Sequence, residues 1–269
     1  MIRLPAVAGR FYPDDPERLR ADVDSFLASG GKEKKVRACA CLVPHAGYMY
    51  SGKVAGEVYG RLDVPARVIL LGPRHFPRGA PLAILSEGAW QTPLGMASID
   101  RLLAEKIVRA FPLLREDAVA HSAEHSLEVQ LPFLQRLAPS FAFVPIVIGP
   151  AQWEPLEALG HALASVIAAE REPILLIASS DMNHYESDSV TRVKDSKAID
   201  RILALDAREL FDTVRDERIS MCGYAAAVAA VIAARELGAT EAELVRYATS
   251  GDVNGDMQEV VGYAGMVMK

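Results

Sequence analysis

Of the six histidines in this 269-residue chain, His45, His75, His125 and His184 stand near glycine, proline, aspartate or glutamate rather than inside an apolar repeat. Neutral imidazole is the commonest metal ligand, and its proton moves near neutral pH, so such residues point to metal binding or general acid–base work. Two of them close apolar runs: CACLVP leads into His45 and VILLGPR into His75. The run Ile174–Ser180 leads likewise into Asp181, Met182, Asn183 and His184, and Glu243–Ser250 into Gly251 and Asp252. In open α/β sheets the C-terminal ends of strands gather along one edge and form the ligand-binding crevice. A metal held there by His45 and His75 needs a third donor, and Asp181, Asp252 and Glu128 are the carboxylates in reach. Two histidines with one carboxylate make the facial triad of non-haem Fe(II) sites, and zinc uses a similar set.

In SSDMNH, Asp181 and His184 read as an acid–base pair in which the carboxylate orients the imidazole, with an N-cap role for Asp181 as the competing explanation. AHSAEHSLEVQ spaces His121 from His125, and Glu124 from Glu128, by four residues, so on one helix each pair shares a face. The pattern differs from the zincin HExxH. If the helix begins after His121, then His125 and Glu128 point into the cleft; otherwise Glu124 and Glu128 complement the helix dipole. His161, in LGHALASV, reads as structural. Cys39 and Cys41 alternate along a strand and are expected on one side of it as small core residues. Cys222 lies near a helix start, where it either packs or has its pKa lowered by the dipole. The glycines of GPRHFPRG and SGDVNGD match neither a Walker A loop nor a GxGxxG fingerprint, and no GxSxG elbow occurs.

Strands and helices alternate along the chain. An irregular lead-in precedes a helix at Pro16–Ser29, and the charged run Lys32–Lys35 reads as a solvated loop. Further helices are predicted over Lys53–Leu62, Ile99–Ala110, from near Ala123 with a kink or boundary at Pro132, over Pro155–Ala169, Thr191–Asp216 with a break near Asp206, and Ala225–Leu237. Strands are predicted at Arg67–Gly72, Ala80–Ser86, around Trp90–Ser98, and at Phe141–Gly149, Pro173–Ser180, Leu244–Thr249 and Val260–Met268. This alternation predicts one three-layer α/β/α domain over residues 1–269, with a mostly parallel sheet and some antiparallel additions.

The composition, 51% hydrophobic and 24% charged, is that of a globular protein with a sizeable core. A net charge of −6 offers no footprint for nucleic acid or an anionic membrane. No apolar run of spanning length occurs, the N-terminus lacks an apolar signal segment, and three cysteines make no disulfide framework. A cytoplasmic protein is expected.

The segments LPAVAGRFYP, VPHAGYMYSG, LLGPRHF, QTPLG, EHSLEVQLPFL, PIVIG, SSDMNHY, CGY, YATSGD and VVGYAGMV occur in that order. Together they resemble the Memo family, most closely its prokaryotic branch, the AmmeMemoRadiSam system protein B group. That family is similar in fold to the LigB-type class III extradiol dioxygenases, which open catechol rings with non-haem Fe(II). The resemblance implies a LigB-like fold with a metal pocket at the strand ends, metal-binding histidines at His45 and His75, and pocket residues at Asp181 and His184. Eukaryotic members complete the metal set with a cysteine; Val253 stands there in this chain, and Asp252 beside it is the expected substitute.

The resulting expectation is a Memo-family metalloprotein with His45, His75 and Asp252 as ligands, Asp181 as the alternative third, and His184, Asp181 and His125 as acid–base or positioning residues. Fe(II) is the expected ion, with copper or zinc as alternatives, and a small substrate, or a peptide, as the ligand. The group's name further implies a pathway link to AMMECR-type and radical-SAM proteins. The competing readings are a non-catalytic ligand-binding or scaffold protein on the same fold, and a zinc-type hydrolase.

Overall fold

The computed structural model describes residues 1–31 and 35–269, so Lys32–Lys34 of the charged run lie outside the described residues. The chain forms one α/β domain around a twelve-stranded mixed sheet. At its centre Ala142–Ile148, Arg67–Pro73, Ile174–Ser179 and Ala40–Val43 lie side by side in that order, all parallel. Successive residues of these strands feed two separate cores. Ile69, Leu71, Leu176 and Ala178 face one, and Val68, Leu70, Leu175 and Ile177 face the other. A strand buried on both faces must be apolar at every position, which is how these runs read.

Helices Arg101–Ala110, Trp153–Ala168, Asp188–Leu203, Ala207–Asp216 and Tyr224–Glu236 cover the first face. Pro16–Ala28, Tyr48–Arg61 and Leu131–Leu137 cover the second. The three-layer expectation therefore holds. Val260–Met268 runs antiparallel between Ala40–Val43 and Ala242–Thr249, and its first residues pair with the short strand His184–Glu186. At the far edge Ala89–Thr92 and Gly95–Ile99 form a hairpin.

Some local expectations change. The helix predicted from Ala123 is two pieces, His125–Glu128 and Leu131–Leu137, with Pro132 in the first turn of the second, where its missing N–H is harmless. Cys39 and Cys41 do not share a side. The strand starts only at Ala40, so Cys39 packs against the first core, near the Leu237 carbonyl, while Cys41 lies in the second.

One buried ion pair fastens the lead-in to this frame. The carboxylate of Glu128, fully buried, accepts from Arg3 Nη1 (2.6 Å), Tyr12 Oη (2.6 Å), Ala6 N (2.8 Å) and Val7 N (3.1 Å). Arg3 also donates to the carbonyls of His121 and Glu124 and lies over the Trp90 ring. Removing one member strands a buried charge, so Glu128→Ala is expected to lower unfolding free energy by about 3–5 kcal/mol. The exposed pair Arg37–Asp63 is the internal comparison, and Asp63→Ala should cost less than about 1 kcal/mol. Urea unfolding of both variants checks this; equal effects would contradict it.

Candidate metal centre

Because three neighbouring central strands run in one direction, their C-terminal ends deliver His45, His75 and Asp181 to the same edge of the sheet. His125 opens a short helix just beneath them. The rings of His45, His75 and His125 form a compact group: centroids stand 5.1 Å apart for His45–His75, 5.6 Å for His45–His125 and 4.4 Å for the stacked His75–His125 pair. One ligand atom from each lies within 4.8 Å of the others, a spacing that could hold a metal ion. The three rings line a cleft of about 570 Å³ together with Phe11, Asp181, His184, Tyr185, Cys222 and Tyr263.

Hydrogen bonds decide which nitrogen each ring offers. Ser179 Oγ donates to the Ser126 carbonyl (2.7 Å) and accepts from Gln130 Nε2 (2.9 Å), so its one proton is committed. His45 Nδ1, 2.9 Å from that oxygen, must therefore donate, which leaves Nε2 as a bare lone pair. The Gln130 amide is oriented by the Pro44 carbonyl and by the hydroxyl of Tyr59. His75 Nδ1 donates to Glu124 Oε1 (2.8 Å), and the other carboxylate oxygen accepts from the His75 backbone N–H (2.8 Å). His184 Nδ1 donates to the Ser220 carbonyl (2.9 Å). All three rings thus carry their proton on Nδ1 and leave Nε2 as the acceptor, which at His45 meets the Cys222 thiol at 3.2 Å. A carboxylate or carbonyl behind a ring fixes its tautomer and raises its basicity as a ligand.

Burial sets the charges. It pushes the pKa of His45 well down, helped by the nearby His75, and that of His125 down to about 4, helped by His45 and His75. Burial alone would raise Glu124, but its bonds to His75 and Ser126 hold it down at about 2. The group is therefore ligand-competent, with neutral His45 and His125 near neutral pH and an ionised carboxylate behind His75.

The expected residues fall into place unevenly. Asp252 does not join the group: the backbone turns into the short helix Gly251–Asn254, and its carboxylate folds back onto Thr249 N (2.8 Å) and pairs with Arg192 (2.9 Å). Val253 is exposed on the same turn. His125 takes the third place. Asp181 does not orient His184; it accepts from the backbone N–H groups of His45 (2.7 Å) and Ala46 (3.3 Å) and so fixes the loop that carries His45. Burial raises its pKa against those two bonds. His184 is instead held by Ser220, whose N–H and hydroxyl donate to the Oδ1 of fully buried Asn183. His121 and His125 end on different short helices, and His121 packs beside Trp90. His161 sits on the exposed side of its helix beside Glu236. Burial pushes the Cys222 thiol up, opposite to the dipole expectation.

Glu124, Gln130, Ser179 and Ser220 were not singled out as site residues from the sequence. Glu124 had a signal, a carboxylate next to His125; the other three act through folds in the chain that no local pattern reports.

His125 makes the metal-free protein acid-sensitive in a defined window. Its folded pKa, about 4, lies below the unfolded value of about 6.5, so the unfolded chain takes up the extra proton as pH falls between them, and stability falls with it. At pH 5 this amounts to about 2 kcal/mol relative to pH 7 and above. Chemical denaturation with chelator at pH 7 and pH 5 is expected to show a smaller loss in His125→Gln than in the wild type. Identical losses would contradict it.

The chain is also similar to known proteins. A family model described as Memo-like protein matches residues 3–267. A MEMO1 family protein of Aquifex aeolicus is 44% identical over 267 residues, covering 99% of this chain and 98% of the relative. One from Methanothermobacter thermautotrophicus is 41% identical over 276 residues, covering 98% and 99%. Among solved structures, an uncharacterized protein of Escherichia coli K12 shares the fold with a TM-score of 0.51 at 13% identity, over 86% of this chain and 100% of that one. Among the described residues no helix is long and apolar enough to cross a membrane. With the family match running almost end to end, this chain belongs to the Memo family.

Proposed function

We propose that this chain is a non-haem metalloprotein in which His45, His75 and His125 hold a divalent ion through their imidazoles, Fe(II) by first choice, and that it acts as a dioxygenase-like oxidoreductase on a small substrate. The observation that carries this reading is the division of labour among four histidines in one cleft. Three form a group of ligand-like spacing. The fourth, His184, stands on the same cleft outside that group, with Nδ1 committed to a carbonyl and Nε2 free.

The donor set fits a metal. Imidazoles suit iron, copper, nickel and zinc, and the carboxylate behind His75 supplies the usual outer support. A bound ion would supply Lewis acidity and, if it is iron or copper, redox capacity. The protein's own residues do the rest. His184 Nε2 accepts a proton from a substrate hydroxyl and returns it later, while the Ser220 carbonyl stabilises the imidazolium through Nδ1–H. Phe11, Tyr185 and Tyr263 offer apolar and aromatic walls suited to a small planar substrate. Asp181 keeps the His45 loop in position through its two backbone bonds.

Protein purified without oxygen or added metal, then titrated anaerobically with Fe(II), tests the reading. One equivalent should bind, and His45→Ala and His75→Ala should each abolish tight binding, while Asp252→Ala should leave it unchanged. Glu124→Gln, which keeps the shape but removes the charge behind His75, is expected to weaken binding by about 10–100-fold. Wild type that neither carries nor acquires a metal would overturn the proposal and leave a ligand-binding protein without metal chemistry. Tight zinc with no uptake of iron would point to the hydrolase instead.

A further inference from the structure

Among the described residues, three that are not glycine adopt left-handed backbone angles: Tyr185 (φ 60°), Leu205 (φ 52°) and Arg218 (φ 51°). Leu205 and Arg218 follow directly on the C-caps of the helices Asp188–Leu203 and Ala207–Asp216, where a left-handed residue is an ordinary way to end a helix. Tyr185 ends no helix. It lies inside the short strand His184–Glu186, and a bulky side chain at such an angle is strained there.

The strand pairing shows what this strain achieves. His184 stands opposite Val261 and Glu186 opposite Val260, so Tyr185 is an extra residue, a bulge against the strand Val260–Met268. On a regular strand, consecutive side chains point to opposite faces of the sheet. His184 and Tyr185 are consecutive, yet both line the cleft, with ring centroids 5.6 Å apart and ring planes at 60°. The bulge thus seats an aromatic ring beside the histidine that faces the cleft. Packing does not account for that ring: Tyr185 is 73% exposed, whereas Tyr263 on the same cleft is 2% exposed. A strained backbone that presents a large exposed aromatic side chain on a cleft wall serves binding better than it serves the fold.

We propose that Tyr185 is a specificity-determining residue of the cleft, its ring lying against the face of a flat, π-bonded substrate whose hydroxyl reaches His184. This rests on the reading of the cleft as a substrate site with His184 as its base, and it does not depend on which metal is bound. Aromatic pairs gain more than the burial of their area, so Tyr185 favours a flat ring over a puckered one of the same size.

Phenol and cyclohexanol are the probes. Each has one six-membered carbon ring and one hydroxyl, both stay uncharged in neutral buffer, and they differ in flatness and π electrons. Binding to the full chain is measured by ligand-detected NMR titration in the presence of chelator, for wild type, Tyr185→Phe, Tyr185→Ala and Tyr185→Gly, with Tm recorded for each. Wild type and Tyr185→Phe should favour phenol by about 3–10-fold, the size of one aromatic pair, and the Ala and Gly variants should bind the two alike. Tyr185→Gly, which relieves the backbone, should also raise Tm by about 2–4 °C. Wild type without a preference for phenol, or a preference that persists in the Ala and Gly variants, overturns the proposal. So does a Tyr185→Gly variant with Tm at or below that of wild type, since the ring would then serve the fold. Wild type that binds neither probe overturns the substrate-site reading as well, whereas failure to bind Fe(II) leaves the role of Tyr185 standing.

Discussion

An imidazole has two nitrogens, and this cleft depends on the fold taking one from each of three rings. Ser179, Glu124 and Ser220 occupy the Nδ1 atoms of His45, His75 and His184, so each of those rings presents Nε2. An unfixed histidine would divide its population between tautomers and ring orientations, and a metal or substrate would bear the cost of selecting one. Here the selection is made during folding, by the same hydrogen bonds that satisfy buried polar groups. Ser179 belongs to the middle of three neighbouring parallel strands, so the atom that sets the His45 tautomer is anchored on a strand paired on both sides.

The polar groups behind the histidines form a connected and largely satisfied network, which is the condition under which burying them is tolerable. Tyr59 orients Gln130, Gln130 reaches both the Pro44 carbonyl and Ser179, and Ser179 bridges to Ser126 and His45. Glu124 accepts from the backbone and the ring of His75 and from Ser126 N, so one carboxylate joins the end of a central strand to the start of the His125 helix. Glu128, one turn further on, faces away and secures the N-terminal segment. That segment brings Phe11 against His125, with ring centroids 4.8 Å apart. Two glutamates four residues apart thus secure different segments that line the cleft, and the backbone between Ala118 and Leu137 breaks into short helices rather than one.

This break also marks where the sequence stops being legible. The central strands were readable because burial on both faces demands unbroken apolar runs, and the residues following them were readable as site candidates because parallel strands share one edge. His45, His75 and Asp181 follow from that logic. Side-chain direction after the strand ends does not. Asp181 and His184 are three residues apart and looked like a pair, yet the chain turns between them so that one faces the His45 loop and the other faces Ser220. Asp252 follows a strand that points the same way as that of His45, but this strand lies beyond Val260–Met268 in the sheet, and Arg192 and Thr249 N claim its carboxylate. Cys222 carried no pattern beyond a nearby helix start, since its neighbour His45 is 177 residues away in sequence.

Replacing a carboxylate by His125 in the group changes its electrostatics as well as its membership. Three neutral imidazoles bring no charge to an ion, whereas the two-histidine, one-carboxylate set brings one negative charge directly. In this cleft the negative charge stands one layer back: Glu124 Oε1 is 2.8 Å from His75 Nδ1 and 3.8 Å from His125 Nδ1. A divalent ion would therefore keep more of its positive charge for whatever enters from the open side, favouring an ionised substrate oxygen over a neutral one. His184 lines the same cleft with Nδ1 committed to a carbonyl, and as the proposed base its Nε2 would take the proton released as such an oxygen ionises. In the proposed metalloprotein an outer carboxylate and a separate base would work together, one leaving a bound ion electrophilic and the other making the anion that it attracts.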